Sequence, residues 1–142
     1  MGAKVTEMRK ENWPSILVAA IDEQKSEKFE WGKSDCLQFA SRVAAQLIDH
    51  DILSEADNRY TDETGAYALL SEMGGYDGVF GKYFKQREAP RFACRGDIVT
   101  VSFNDQNICG IVDASGRMVA CKGERGVFYL PFKYITRAWE VR

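Results

Sequence analysis

The spacing of hydrophobic residues changes near the middle of the chain, from a helical period in the first half to strand-like alternation in the second. Between Leu37 and Leu47, apolar residues recur three and four positions apart, which predicts an amphipathic helix with one buried face. An earlier helix is predicted to begin near Asn12-Trp13-Pro14, and a later one is capped by Thr61 or Asp62. We therefore expect the first half of the chain to be helical.

From Gly96 onward, the pattern is typical of β-strands. Strands are predicted over residues 97–102, 107–113, 117–122, 126–130 and 134–141. Helices followed by strands indicate an α+β fold, with N-terminal helices packed on one side of a C-terminal antiparallel meander. No repeat, low-complexity tract or linker divides the sequence, so we expect one domain over residues 1–142, with a flexible N-terminus at residues 1–12.

Composition narrows the classes of partner. The chain has 19 basic and 21 acidic residues, a net charge of −2 and no basic run, so it lacks the electrostatic pattern of nucleic-acid binding. No apolar stretch approaches the roughly 18 residues of a membrane span, and no signal-peptide pattern is present. We expect synthesis in a reducing cytoplasm and partners that are proteins, glycans or peptides.

The cysteine pattern predicts neither a metal site nor another cofactor site. Cys36, Cys94, Cys109 and Cys121 are widely spaced without a CxxC pair, and His50 is the only histidine. A zinc site is therefore not expected, nor are structural disulfides in a reducing compartment. Cys94 and Cys121 are predicted to be buried or half-buried residues.

Cys36 is the residue with the clearest potential for chemistry. It follows an extended segment that turns through Gly32, and it falls with Asp35 in the first turn of a helix that Ser34 is predicted to cap. The positive end of a helix favours a thiolate, which is how many enzymes activate a nucleophilic cysteine. The alternative is an ordinary small buried residue, because free cysteine is among the most buried residue types.

Several short motifs follow one another in a distinctive order. An aromatic-Trp-Gly segment leads to the helix cysteine, and a Gly-Asp-Ile-Val strand, a Gly-Ile strand and an Arg-Ala-Trp segment come later. The residues are Phe29, Trp31, Gly32, Asp35, Cys36, Arg95–Val99, Gly110, Ile111 and Arg137–Trp139. This order resembles the NlpC/P60 branch of the papain-like cysteine hydrolases, and more closely the small phage and prophage tail-module proteins related to that branch. The resemblance covers about residues 12–142 and implies a papain-like fold.

The same resemblance implies that the catalytic residues have been lost. NlpC/P60 enzymes cut amide bonds in cell-wall peptides with a helix cysteine as nucleophile, a strand histidine as base and a third polar residue that orients the histidine. When the family glycines are laid on Gly110 and Gly116, the base position falls on Ile108 and the third position on Ala120. Neither side chain accepts a proton, so the enzyme prediction leans towards no activity.

Three other residues are candidates for the missing base: His50, Asp113 and Glu124. His50 lies at the far end of the predicted helix, roughly 20 Å from Cys36 at about 1.5 Å per residue, whereas a base must come within about 3 Å of the proton it takes. Asp113 and Glu124 are nearer candidates in the strand region. A carboxylate beside a thiol, however, raises the pKa of the thiol rather than lowering it.

The remaining candidates depend on which way the strand side chains point. Strand alternation decides whether Ile108 or Cys109 faces the helix, and Cys109 could then form a redox pair with Cys36. Trp31 and Trp139 either line a substrate cleft or pack in the core. Gly110 is predicted to allow close approach of its strand to the Cys36 helix.

One function is preferred and two alternatives stay open. The resemblance implies a non-catalytic structural or assembly component of a phage or prophage tail, at the tail tip. Its partners would be hub or tip subunits, and it would pass from the host cytoplasm into the virion. The first alternative is an active cysteine peptidase or amidase that uses Cys36 on peptidoglycan peptides. The second is a redox-sensing module that uses Cys36 and Cys109.

Overall fold

The fold consists of helices followed by an antiparallel sheet, seen in a computed structural model that describes residues 8–50, 52 and 59–142. Four α-helices occur in this part of the chain: α1 (Trp13–Lys25), α2 (Cys36–Ile48), α3 (Glu63–Glu72) and α4 (Gly75–Gly81). The strands are β1 (Lys85–Gln86), β2 (Ile98–Phe103), β3 (Gln106–Val112), β4 (Met118–Gly123), β5 (Gly126–Pro131) and β6 (Ile135–Glu140). The predicted α+β class is confirmed.

Local sequence explains where α1 and α3 begin. Asn12 is the N-cap of α1, and Pro14 lies in its first turn, where the missing N–H leaves no helical bond unmade. Asp62 caps α3, and its Oδ1 accepts a hydrogen bond of 2.7 Å from the backbone N–H of Gly65. Within the described residues, no helix is both long enough and apolar enough to cross a membrane.

The sheet departs from a simple meander at its C-terminal strand. The strand order is β1-β6-β2-β3-β4-β5, with every neighbouring pair antiparallel. Strands β2 to β5 form the predicted meander, but β6 returns to pair with β2, where Ile98 lies opposite Trp139. Strand β1 was not predicted, because two residues are too few to show a period.

Apolar residues cover both faces of the sheet. The face that contacts α1 and α2 carries the main core, which includes Leu17, Phe39, Val43, Leu47, Ile98, Cys109, Ile111 and Ala120. The opposite face carries a second cluster, which includes Val99, Val101, Val112, Val119, Cys121 and Leu130. Because successive strand residues point to opposite faces, Ile98 and Val99 belong to different clusters. The second cluster is the reason that the central strands are apolar almost without a break.

A buried carboxylate connects segments that are far apart in the sequence. Asp97 is fully buried, and its carboxylate pairs with Arg9 at 3.1 Å and with Arg87 at 2.9 Å. It also accepts a hydrogen bond of 2.9 Å from the backbone N–H of Cys94. The Cys94 side chain is exposed, so its predicted burial is wrong. The guanidinium of Arg9 further donates to the carbonyl of Val141 at 2.7 Å.

The start of the described chain is held against α2. Of the segment predicted to be flexible, residues 1–12, the first seven lie outside the described residues. The backbone N–H of Lys10 donates a hydrogen bond of 2.8 Å to the carbonyl of Leu47, and Arg9 takes part in the Asp97 cluster. Residues 9 and 10 are therefore part of the folded domain.

Candidate functional site

Asp35 caps α2, and the predicted cap at Ser34 is wrong. The hydroxyl of Ser34 instead donates a hydrogen bond to the carbonyl of Lys28. Asp35 takes the cap position because its extended backbone, with φ −85° and ψ −177°, turns the carboxylate towards the exposed N–H groups of the first turn. Cys36 is consequently the first residue of α2 rather than a member of its interior.

The Asp35 carboxylate accepts three hydrogen bonds and is almost fully buried. Its Oδ1 accepts from the backbone N–H of Gln38 at 2.9 Å. Its Oδ2 accepts from the backbone N–H of Gly32 at 2.8 Å and from the hydroxyl of Tyr60 at 2.5 Å. Asp35 therefore supports the helix N-terminus, as expected, and also joins it to two loops.

Gly32 allows the segment before α2 to lie close to the backbone of Tyr60. Its φ of 82° lies in the left-handed region, and a Cβ at this position would stand 2.2 Å from the carbonyl oxygen of Tyr60. Any larger residue would have to displace the Tyr60 backbone. The glycine thus fixes the path of the chain immediately before the cap.

Cys109 faces α2, which settles the question of strand orientation. Its Sγ lies 3.3 Å from the carbonyl oxygen of Cys36, to which its S–H donates. Cys109 is fully buried in the main core, whereas Cys36 is half-buried. Ile108 lies on the other face of β3, where it contacts the second cluster, and it also lines the pocket that Cys36 lines. The two thiols therefore lie on facing sides of the contact between α2 and β3.

The surroundings of these thiols affect their pKa values in opposite directions. A hydrogen bond from Cys109 lowers the pKa of Cys36, against the opposing effects of burial and of the Asp35 charge. Burial raises the pKa of Cys109 well above its ordinary value. Burial also raises the pKa of Cys121, to about 12. Cys36 is the member of this group that ionises most readily.

The positions expected to carry a hydrolase base hold no proton acceptor. Ala120 is fully buried in the main core on β4, and Ile108 is aliphatic. His50, the only histidine of the sequence, follows the C-cap of α2 at the opposite end from Cys36. A helix of 13 residues separates the two ends by roughly 20 Å. No imidazole can therefore reach the Cys36 thiol.

Cys36 lines a pocket of about 640 Å³. Seven of its lining residues are aromatic: Phe29, Trp31, Tyr60, Tyr67, Tyr76, Phe103 and Phe128. Glu63, Lys122 and Glu124 add charged groups. A concave, largely apolar surface with a few polar groups is typical of sites that bind ligands or partner side chains.

Trp31 and Trp139, the two tryptophans considered for the cleft, lie in different environments. Trp31 lines the pocket and packs edge-on against Phe29, with ring centroids 4.9 Å apart. Trp139 is 1% exposed and packs in the core beside Phe80, with ring centroids 5.3 Å apart. The possibility that Trp139 lines the cleft is therefore wrong. Its place on β6 next to the central strand β2 puts it behind the helices.

Gly110 has a different role from the one predicted. A Cβ at this position would stand 2.5 Å from the carbonyl oxygen of Ala120 and 2.9 Å from the Sγ of Cys121. These atoms belong to β4, so the glycine allows β3 to lie close to β4 rather than to the Cys36 helix. The prediction of a close approach to α2 is wrong because alternation places Gly110 on the face opposite Cys109.

Asp113 and Glu124, the two carboxylates that are candidates for a base, differ in their position relative to the pocket. Asp113 follows β3, where its Oδ1 accepts hydrogen bonds from the backbone N–H of Ser115 at 3.0 Å and from its hydroxyl at 2.5 Å. It is not among the residues that line the pocket. Glu124 does line the pocket, and it is exposed. Of the two, only Glu124 shares a surface with Cys36.

Sequence reasoning missed Tyr60, Tyr76 and Lys122. The ammonium of Lys122 donates to the carbonyl of Gln24 at 2.5 Å and to that of Glu27, and so satisfies carbonyls at the end of α1. A lysine at a core-facing position of β4 is a detectable signal of this role. The two tyrosines come from a loop and from the short α4, where no local pattern indicates that they line the same pocket as Cys36.

In the part of the chain that the structure describes, no three His, Cys, Asp or Glu side chains are grouped to hold a metal ion.

Comparison with known proteins places the chain in a family. No protein of curated function matches it. The family model described as "Domain of unknown function (DUF6950)" matches residues 8–141, which is nearly the whole sequence. The chain therefore belongs to the DUF6950 family.

Proposed function

We propose that the chain is a papain-like domain of the NlpC/P60 type that has lost hydrolase activity and serves as a structural or assembly component of a phage or prophage tail, at the tail tip. One observation carries the loss of activity. The side chains of β3 and β4 that belong to the main core, on the α2 side of the sheet, are those of Cys109, Ile111 and Ala120. None of them can act as a general base for Cys36, and the only histidine lies at the other end of α2.

Two features of the fold support the assignment to the NlpC/P60 type. A cysteine that opens a buried helix and contacts an antiparallel sheet is the arrangement that the NlpC/P60 resemblance implies. The helix cap at Asp35 and the strand that begins after Asp97 coincide with two of the motifs on which the resemblance rests. The tail assignment itself comes from the likeness to tail-module proteins.

In this proposal, the pocket beside Cys36 is an interface for another tail subunit. Aromatic residues are enriched in the buried centres of protein interfaces, where they supply large contact areas. Trp31, Tyr67 and Phe128 line this pocket, and Tyr67 is 43% exposed. Hub or tip subunits are the partners that the tail assignment implies.

The loss of activity is tested by incubating the purified chain with peptidoglycan peptides, beside Cys36→Ala. We expect no release of new amino groups by either protein. Cleavage by the wild type that disappears in Cys36→Ala would overturn the proposal.

The tail assignment is tested separately, by mass spectrometry of purified phage tails from the strain that encodes the chain. We expect the chain in the tails, and its absence from intact tails would contradict the assignment.

A second candidate is an active cysteine peptidase or amidase, which would act on cell-wall peptides. The observation that favours it is the lowered pKa of Cys36 beside an accessible pocket. Such an enzyme would need a proton acceptor, and Glu124 is a carboxylate that lines the same pocket. Equal loss of hydrolysis in Glu124→Gln and Cys36→Ala would support this candidate. Hydrolysis by neither the wild type nor these variants would rule it out for the peptides tested.

A further inference from the structure

We infer that Cys36 and Cys109 form an oxidisable thiol pair, in which a peroxide oxidises Cys36 and Cys109 converts the product into a disulfide. The inference concerns a modification site and does not depend on the proposed function. It rests on the contact of the Cys109 side chain with Cys36, on the unequal access of the two residues to solvent and on the placement of the other two cysteines.

The contact between the two residues is direct. The Sγ of Cys109 lies 3.3 Å from the carbonyl oxygen of Cys36, across the contact between α2 and β3. Disulfides usually join residues whose Cα atoms are about 4.4–6.8 Å apart, a spacing that residues in contact across packed elements can have. In this proposal, the two side chains rotate to bring the sulfurs together.

Access to the two sulfurs is unequal. Cys36 is half-buried and lines the 640 Å³ pocket, whereas Cys109 is fully buried behind it. A small oxidant can therefore reach Cys36 first. Reactive thiolate character, exposure and an adjacent second cysteine are the features that distinguish redox-active cysteines from structural ones. Cys36 has all three, since the hydrogen bond from Cys109 favours its thiolate.

The chemistry needs one peroxide molecule. The Cys36 thiolate attacks a peroxide oxygen, the O–O bond breaks, and the sulfur is oxidised to a sulfenic acid while hydroxide leaves. That hydroxide takes the proton of the Cys109 thiol and becomes water. The Cys109 thiolate then attacks the Cys36 sulfur, the S–S bond forms and the S–O bond breaks. The second hydroxide takes a proton from solvent, so hydrogen peroxide is reduced to two molecules of water.

The other two cysteines are placed differently. Cys121 is buried in the second cluster, on the opposite face of the sheet from Cys109. Cys94 is exposed in a different pocket, beside Arg9 and Arg87, and its S–H donates to the carbonyl of Phe92 at 3.3 Å. Neither shares the contact between α2 and β3. Cys121 is therefore a matched control for a buried thiol, and Cys94 for an accessible one.

The test treats the reduced full chain with hydrogen peroxide, blocks the remaining thiols under denaturing conditions and maps the peptides by mass spectrometry. A Cys94→Ala background prevents disulfides between molecules. We expect a peptide that links Cys36 to Cys109, reversed by dithiothreitol, and an intact mass lowered by two hydrogens. Cys121→Ala should give the same linked peptide.

A second variant identifies the order of the two steps. In Cys109→Ala, with folding checked by circular dichroism, the linked peptide should be lost and the Cys36 sulfenic acid should be captured by dimedone. The inference would be overturned by a wild type in which Cys36 stays reduced, links to Cys121 or proceeds to sulfinic acid without any Cys36–Cys109 peptide. Because these outcomes are measured on protein that retains both Cys36 and Cys109, they remain decisive even if Cys109→Ala fails to fold. None of them bears on tail assembly or hydrolysis.

Discussion

The hydroxyl of Tyr60 donates a hydrogen bond of 2.5 Å to the carboxylate of Asp35, and both side chains are buried at the start of α2. Burial, together with the negative charge of Asp35, raises the pKa of Tyr60 above its ordinary value. A phenolate beside a buried carboxylate would be strongly disfavoured. Tyr60 therefore remains a donor across the ordinary pH range and keeps its loop attached to the helix cap.

Replacement of Tyr60 by phenylalanine should weaken this attachment. Tyr60→Phe removes one donor and leaves Asp35 with the backbone N–H groups of Gly32 and Gln38. A hydrogen bond to a charged group contributes roughly 1.5–3 kcal/mol, so we expect the free energy of unfolding in urea to fall by about that amount. Tyr67→Phe, at an exposed tyrosine, should change it by less than about 0.5 kcal/mol. Equal values for the two variants would contradict the prediction.

The reactivity of Cys36 should depend on pH in a way that reports its hydrogen bond with Cys109. Because its pKa is lowered, the Cys36 thiolate forms, and alkylation accelerates, at a lower pH than for a free thiol of pKa about 8.5. Cys109→Ala removes the donor, so the midpoint of the alkylation profile should move to higher pH. The measurement is the rate of iodoacetamide labelling of each cysteine, followed by peptide mass spectrometry.

The buried thiols provide the control for that measurement. Cys121, with a pKa raised to about 12, should stay unlabelled in the native protein near neutral pH, and so should Cys109. Cys121→Ala should leave the Cys36 profile unchanged. A Cys36 midpoint at or above the free-thiol value of about 8.5 would show that Cys36 is not an activated thiol.

The close approach of β3 to its neighbouring strand β4 at Gly110 predicts that Gly110→Ala destabilises the protein. The added Cβ would stand 2.5 Å from the carbonyl oxygen of Ala120, which is backbone and cannot move aside cheaply. Overpacking of this kind costs about 1–3 kcal/mol in the free energy of unfolding. Gly81→Ala is the matched control, because its Cβ would meet no atom within 4 Å. Denaturation of Gly110→Ala at the same urea concentration as Gly81→Ala would refute the packing argument.

The environment of Asp97 predicts a large effect from its removal. Asp97→Ala leaves Arg9 and Arg87, whose side chains are 14% and 24% exposed, without their carboxylate. Breaking a buried ion pair costs about 3–5 kcal/mol in the free energy of unfolding. Asp77→Ala breaks an exposed pair with Arg137 and should cost no more than about 1 kcal/mol. The two variants are compared by urea denaturation, and a cost for Asp97→Ala as small as that for Asp77→Ala would contradict this account.

Sequence patterns predicted α1, α2, α3 and the meander, but not α4 at Gly75–Gly81. The residues predicted to be buried on α2, such as Leu37, Val43 and Leu47, are all buried, because a 3.6-residue repeat directly reports which side of a helix meets the core. The cap was misassigned by one residue. Ser34 and Asp35 are both good caps by residue type, and the choice depends on backbone angles that residue type alone does not specify.

The site itself was harder to predict, because it depends on strand orientation. Aligning the glycines put Ile108 at the base position, but the structure turns Cys109 towards Cys36. One residue of register reverses the face of every side chain, and the apolar residues on both faces of β3 leave no alternation to fix it. Tyr60 and Tyr76 reach the pocket through tertiary packing alone.

The Asp97 cluster also has a consequence for folding kinetics. Arg9 and Asp97 are 88 residues apart in the sequence, and the Val141 backbone, which shares the cluster, lies 44 residues beyond Asp97. Contacts between such distant segments close large loops, so we expect these two contacts to form late, whereas the pair of Asp97 with Arg87 spans only 10 residues. Interactions that form after the transition state slow unfolding without speeding folding. We therefore expect the contacts of Asp97 with Arg9 and Val141 to slow the unfolding of the protein more than they speed its folding.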